Sequence, residues 1–486
     1  MKRLKTLLYL SAGLVFLMGG CSLAPKYSRP AAPVPAAWPA GTAHDQTKTA
    51  AVLPTGDAAL HVYPWQDFFP DPKLRQVIKT ALENNRDLRM AALNAERARA
   101  YYGIQRASLL PSVNAVASES KQRIPADLSA SGKAMTAEQY SVNFGVASWE
   151  IDFFGRIRNL KDQALEEYLA TDQARLSAQL MLLSTVANAY LALAADREGL
   201  QLALSTLETV GNSYRLQGKL HDLGVVSALD LRLSQTQVDA ARGEVSRYAQ
   251  LAAQDKNALN LLAGTDLPET LLPDRLTDVE FCREISPGLS STVLLQRPDV
   301  LAAEHRLKGA HANIGAARAA FFPRISLTAA LGTASADLSG LFNSGQGTWS
   351  FAPVIAVPVF DARTWHAYDV TKVEQQLAVA QYEKTIQTAF REVADALAVQ
   401  GAMNQRLASQ QSLAAALAEA LRLSTVRYTN GIDSYLNVLD AQRSLYNAKQ
   451  GFLALQFARL ANEVTLYKAL GGAGANPDSP KMKEEK

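Results

Sequence analysis

The sequence predicts an α+β membrane protein made of two similar halves, each a β-hairpin set between helices of very unequal length. Three observations carry this: an internal repeat, two alternating segments that follow prolines, and two helical patterns far longer than a globular core needs. The repeat is clearest at Gly431-Ile-Asp-Ser-Tyr-Leu-Asn-Val-Leu-Asp-Ala-Gln-Arg443, echoed by Gly224-Val-Val-Ser-Ala-Leu-Asp-Leu-Arg-Leu-Ser-Gln-Thr236. At an offset of 207, Ser227 meets Ser434, Leu229 meets Leu436, Gln235 meets Gln442 and Gly264 meets Gly471 without a gap. Each copy reads as a turn between a long helix and a shorter returning one.

Composition agrees with a helix-rich chain able to bury a core: 48% of the 486 residues are hydrophobic and 7% aromatic. The first twenty residues hold Lys2, Arg3 and Lys5 and no acid, so without them the net charge of +3 becomes zero. Bulk charge therefore offers nothing to a nucleic acid. A basic start, an apolar run from Leu7 to Met18 and small residues before Cys21 form a secretory signal over 1–20. Leu17-Met-Gly-Gly-Cys21 resembles a bacterial lipobox, with Met18 where leucine is usual, and Ser22 resembles an outer-membrane sorting residue. That resemblance implies acylation of Cys21; the competing reading is an ordinary signal peptide with an incidental cysteine. Once Cys21 is lipidated, Cys282 has no intrachain partner and is read as a structural thiol.

Residues 21–60, rich in Pro and Ala, are expected to be an extended, lipidated tether. The first repeat, 61–272, opens with a helical pattern from Pro72 to Leu110, which Pro111 stops. Ser112 to about Ile124 and Tyr140 to Asp152 then alternate around a polar loop and predict a hairpin. The second repeat, 273–472, does the same after Pro323, with strands at Arg324–Ala336 and Trp349–Phe360. Here the offset is 212, so the first hairpin region is the longer one. Long helical patterns follow, from Arg156 to about Gly218 and from Ala362 to Thr429, each a rod of roughly 95 to 100 Å at 1.5 Å per residue. Gly199, Gly211 and Gly401 are candidate bends. The returning helices are Ala228–Ala263 and Leu436–Leu470, the prolines of Thr265–Pro298 predict an irregular outer segment, and 473–486 is expected to be a flexible tail.

After the signal segment there is no run of about eighteen apolar residues, so a membrane crossing falls to a closed β-barrel, the structure that satisfies its own backbone in lipid. Tyr140, Trp149, Phe153, Phe154, Trp349, Phe351 and Phe360 suit aromatic girdles, though a soluble sheet could use them as core. Four strands are too few to close a barrel, so several copies must contribute, and spacing leaves two or three open.

Gln296-Arg-Pro-Asp-Val-Leu-Ala-Ala-Glu304 and Asn313-Ile-Gly-Ala-Ala-Arg-Ala-Ala-Phe-Phe-Pro-Arg-Ile-Ser-Leu327 closely resemble the signature of TolC-superfamily outer-membrane efflux proteins, in the OprM/NodT-like lipoprotein branch of RND multidrug efflux systems. Gly431–Arg443 and Glu463-Val-Thr-Leu-Tyr-Lys-Ala-Leu-Gly-Gly472 are similar to the same branch. The resemblance implies a homotrimer in the outer membrane of a Gram-negative bacterium. Its twelve-stranded barrel would continue into a periplasmic α-helical barrel with an equatorial domain. It also implies a periplasmic adaptor, an inner-membrane RND transporter and outer-membrane lipid as partners. The function implied is a passive exit duct for drugs or other small toxic molecules. The alternatives are a duct for type I protein secretion and a periplasmic helical scaffold lipoprotein.

On a helix Leu436, Asp440 and Arg443 share a face, with the acid and the base near enough to pair. The plain reading is a solvated surface pair worth about 0.3 kcal/mol. The resemblance implies instead that Leu436 and Asp440 form rings closing the periplasmic end of the tube, and that Tyr428 and Asp230 help to hold the tip helices together. Asn437 stands where TolC has an acid, and Leu233 occupies the repeat position of Asp440, so the acidic ring should come from the second half alone. The turns Gly224–Ser227 and Gly431–Ser434 are expected to dock the adaptor, although as bare sequence they are helix caps. No metalloprotease, P-loop or nucleophile-elbow motif occurs, and His305 and His311 lie six apart, which does not make an adjacent helical ligand pair. The sequence predicts no enzyme, cofactor or metal.

Overall fold

The computed structural model describes residues 22–39, 64–279 and 290–472. The signal segment, Cys21, Cys282 and the tail from 473 lie outside the described residues. The elements, in order, are α1 (Trp65–Phe68), α2 (Pro72–Asn84), α3 (Arg86–Ala107), β1 (Val113–Ile124), β2 (Met135–Ile151), α4 (Arg156–Asp222), α5 (Ala228–Ala263), α6 (Pro298–Ala319), β3 (Arg324–Ser335), β4 (Gly347–Ala356), α7 (Ala362–Thr429) and α8 (Tyr435–Ala469). The chain resolves into two compact units, one holding residues 22–31, 94–172 and 302–382, the other the described parts of 32–93, 173–301 and 383–472.

In the first unit the four strands form one antiparallel sheet in the order β1-β2-β3-β4. Register sorts the side chains, because direct cross-strand partners share a face, although Val116 and Val354 fall on the polar side and Glu119, Lys121 and Glu138 continue the apolar side towards the β1–β2 loop. Val113, Ala115, Val142, Phe144, Val146, Trp149, Leu327, Leu331, Trp349, Phe351 and Ile355 lie on one face. Asn114, Ser118, Ser141, Asn143, Ser326, Thr328, Thr348 and Ser350 lie on the other. The apolar face is open among the described residues: Trp349 is 78% exposed and Leu331 68%. A one-residue bulge between Val146 and Trp149, with Ser148 at φ 52°, keeps Trp149 on the apolar side. Were the same residues paired regularly without it, every side chain from Trp149 to Ile151 would change faces. Of the predicted girdle residues, Tyr140, Trp149, Trp349 and Phe351 stand on the apolar face, whereas Phe154 stacks on Phe322 at 4.8 Å and Phe360 lies beyond β4.

The same unit shows that residues 22–31 are not slack. They have neither helix nor strand, as expected of a tether, but side chains pin them down. Ser22 donates to Asn159 at 2.9 Å, and Arg29 and Tyr27 both donate to Glu304, a residue only 3% exposed. Burial alone would push the Glu304 carboxyl up, but the bonds from Arg29 and Tyr27 and the charge of Lys308 leave it below the usual carboxylate range. A buried acid with three such partners holds the segment that composition alone marks as free.

The second unit has the main apolar core. Phe68 of α1, Phe69 just after it, and Leu74, Val77 and Ile78 of α2 pack with Leu183, Val186, Tyr190 and Leu191 of α4, Leu259 of α5, and Leu460, Val464 and Tyr467 of α8. Phe68 stacks on Tyr467 at 4.1 Å. An 18-residue window of α4 reaches a mean hydropathy of 1.4, the one described helix long and apolar enough to cross a membrane, and half of that window is buried within the chain. Its apolarity is explained by this core. The long helices α4 and α7 run unbroken through Gly199, Gly211 and Gly401.

The helix expected from Pro72 to Leu110 is two helices. It breaks at Asn85, whose ψ of 131° is extended and whose Oδ1 caps α3 by accepting from Leu88 N at 2.9 Å. Asn85 Nδ2 also donates to Leu262 O at 2.9 Å near the end of α5. In the second half Arg297 Nη1 donates to Ala469 O at 2.6 Å at the end of α8. Asn85 and Arg297 are 212 apart and Leu262 and Ala469 are 207 apart, the two offsets of the repeat. The duplication thus extends to a single bond, made by an amide in one half and a guanidinium in the other.

Candidate functional site

The tips of the two helical hairpins are built alike. Gly224 and Gly431 follow the long helices with φ of 74° and 72°, a left-handed conformation that costs glycine little. Val225 N then bonds Leu220 O and Gly224 N bonds His221 O, and the pattern recurs from Ile432 N to Arg427 O and from Gly431 N to Tyr428 O. These paired bonds satisfy the last carbonyls of α4 and α7. Ser227 caps α5 by accepting from Asp230 N at 3.2 Å, and its hydroxyl donates to Asp230 Oδ2 at 2.7 Å. Ser434 occupies the same position before α8 but makes no side-chain cap bond. The second tip is tied instead by Arg427, which donates to both carboxylate oxygens of Asp433 and holds that acid below its usual range.

Along α8 the predicted face is distinct from the packed one. Tyr435, Val438 and Leu439 are buried against Leu233, Leu421 and Tyr428. Leu436 is 48% exposed, and the Asp440 and Arg443 side chains are 54% and 63% exposed and paired at 2.8 Å. An apolar side chain, an acid and a base are therefore presented together on the side of α8 turned away from its own chain. The packing also explains the inequality of the two halves: Leu233 lies against the α8 cluster, whereas Asp440 lies in the open. A carboxylate at 233 would have to enter an apolar contact.

Tyr428 and Asp230 are not brought together by a bond between them. Tyr428 instead exchanges hydrogen bonds with Gln217, a residue 1% exposed on α4, at 2.9 Å, while Asp230 is engaged by Ser227. Gln217 carries no sequence signal, because nothing in the local pattern marks a buried amide whose partner lies 211 residues away. Lipidation at Cys21 falls outside the described residues. No group of three or more metal-binding side chains occurs among the described residues.

The family model described as outer membrane efflux protein matches residues 77–265 and 289–472. The chain is 48% identical over 458 residues to the toluene efflux pump outer membrane protein TtgC of Pseudomonas putida, covering 94% of this chain and 93% of that protein. A crystal structure of a membrane protein from Pseudomonas aeruginosa matches with a TM-score of 0.86 at 40% identity, covering 93% of this chain and 98% of the other. The open state of the Neisseria gonorrhoeae MtrE outer membrane channel matches with a TM-score of 0.81 at 38% identity, over 93% and 98% of the two chains.

Proposed function

Because the chain belongs to the outer membrane efflux protein family, a family of α+β channels rather than enzymes, we propose that it is the trimeric exit duct of a tripartite RND-type pump. Small toxic molecules delivered by an inner-membrane transporter and a periplasmic adaptor would leave through it. The observation that carries the detailed reading is the exposed Leu436–Asp440–Arg443 face of α8, beside a tip turn that no other described part of the chain covers. Three copies turn each side chain into a ring, and an apolar ring beside a carboxylate ring narrows a bore and disfavours anions. Gly224, Ser227, Gly431 and Ser434 would present the turns to the adaptor, and Cys21 would anchor the mature N-terminus in lipid. The apolar face of the sheet supports a duct over a helical scaffold, which has no use for such a surface. The toluene pump named among the relatives supports small-molecule export over protein secretion.

Asp440→Ala is expected to raise single-channel conductance in planar bilayers severalfold and to weaken cation preference. Wild-type conductance and selectivity in a correctly folded variant would remove Asp440 from the gate.

A further inference from the structure

The tip is not the only point at which α8 is held. About 24 Å along α5 from its first residue, at 1.5 Å per residue, Glu244 collects bonds from two helices. Its Oε2 accepts from Tyr446 Oη at 3.2 Å and Gln450 Nε2 at 2.9 Å, both on α8, and from Arg247 Nη2 at 2.8 Å. Gln450 also reaches Tyr446 Oη at 2.9 Å and Tyr248 Oη at 3.3 Å. Tyr248 is itself fixed. The Arg247 guanidinium lies 4.1 Å from its ring centroid, and the ring packs so closely on Gly199 of α4 that a Cβ there would come within 2.4 Å of it. Gly199 thus serves a close approach rather than a bend, and α4, α5 and α8 meet at one polar cluster.

The rest of α8 is held differently. Leu453, Leu460, Val464 and Tyr467 are buried in the main core, beyond the cluster, while Tyr435, Val438 and Leu439 make a small apolar contact at the tip end. Apolar burial is lost outright when helices part, whereas hydrogen bonds to a half-exposed carboxylate can be exchanged for water. The cluster is therefore a part of the α5–α8 contact that can open and close reversibly. Arg247, first among its partners, holds the Glu244 carboxyl below its usual range, so the bonds across to α8 are made to a charged acceptor.

We propose that Glu244, Tyr446 and Gln450 form a second latch on the duct, set back from the tip, which must release before α8 can carry Leu436 and Asp440 away from the bore. This rests on the reading of Asp440 as a gate residue. The test uses the full-length protein, with Glu244→Gln and Gln450→Ala made singly and together, and Asp440→Ala as comparator. Each latch variant should raise closed-state conductance in planar bilayers at least twofold and sensitise cells to a large hydrophilic antibiotic such as vancomycin. The double variant should add little to the singles, since both break one cluster, whereas adding Asp440→Ala should multiply the effect. The thermal midpoint of the oligomer, which a merely structural role would lower, should stay within a few degrees of wild type. If Asp440→Ala raises conductance and folded latch variants do not, the latch is overturned and the gate stands. If none of them does, both readings fall.

Discussion

Asp255 shows how far a single residue can depart from its ordinary chemistry in this fold. Its Oδ2 is buried and receives no hydrogen bond from a donor, yet the Asp196 carboxyl of α4 stands within hydrogen-bonding reach. Two acceptors can face each other in this way only if a proton lies between them. Burial first, and then Asp196, push the Asp255 carboxyl up to about 6, and burial raises Asp196 as well. The charges around the pair do little to relieve it: Arg247 acts on Asp196 but is bonded to Glu244, while Arg197 and Lys256 are turned to Glu269. A carboxyl raised in the folded state contributes fully below its unfolded value near 4 and loses that contribution as pH rises through about 6. Asp255→Asn should therefore raise the thermal midpoint at pH 7.5, by the equivalent of about 1 kcal/mol after solvent screening, and flatten the dependence between pH 4 and 7. Melting curves of the detergent-solubilised protein across that range check it.

At the scale of elements, periodic segments are legible in the sequence and exceptions to periodicity are not. The returning helix Ala228–Ala263 has the bounds its pattern predicts, and β1 and β3 differ from expectation by about a residue. The break at Asn85 is silent because an asparagine that ends one helix and caps the next leaves the apolar spacing on either side intact. The exposed face of α8 can be read from spacing alone, since Leu436, Asp440 and Arg443 recur at helical intervals. Gln217, Glu244 and Gln450 cannot, because their partners lie roughly two hundred residues away and polar side chains at long range leave no local mark. The bulge in β2 belongs with these exceptions and yields a prediction. Ser148→Gly should be tolerated, relieving a left-handed serine at about 1 kcal/mol. Deleting Ser148 should also leave Trp149 and Ile151 opposite Leu327 and Ile325 on the apolar face, because the strand then alternates plainly from Val146, so a heat-modifiable, membrane-inserted form should persist on gels; its loss would show that the bulge itself is required.

For the whole molecule, the sheet and the helices make the same demand, since each leaves a surface that the described residues of its own chain do not cover. Native mass spectrometry of the protein extracted in mild detergent should give three chains, each beginning at Cys21 and carrying a diacylglyceryl group. A monomer, or an unmodified N-terminus, would refute the corresponding part of the proposal. The order β1-β2-β3-β4 leaves β1 and β4 as the outer strands, each with one row of backbone groups that has no partner within the sheet. In hydrocarbon such a row is intolerable, so a lone chain cannot enter the bilayer and wait for the others. Assembly must come before insertion or accompany it. A chain whose only fault lies along β4 would consequently act as a dominant negative, spoiling the healthy copies with which it assembles.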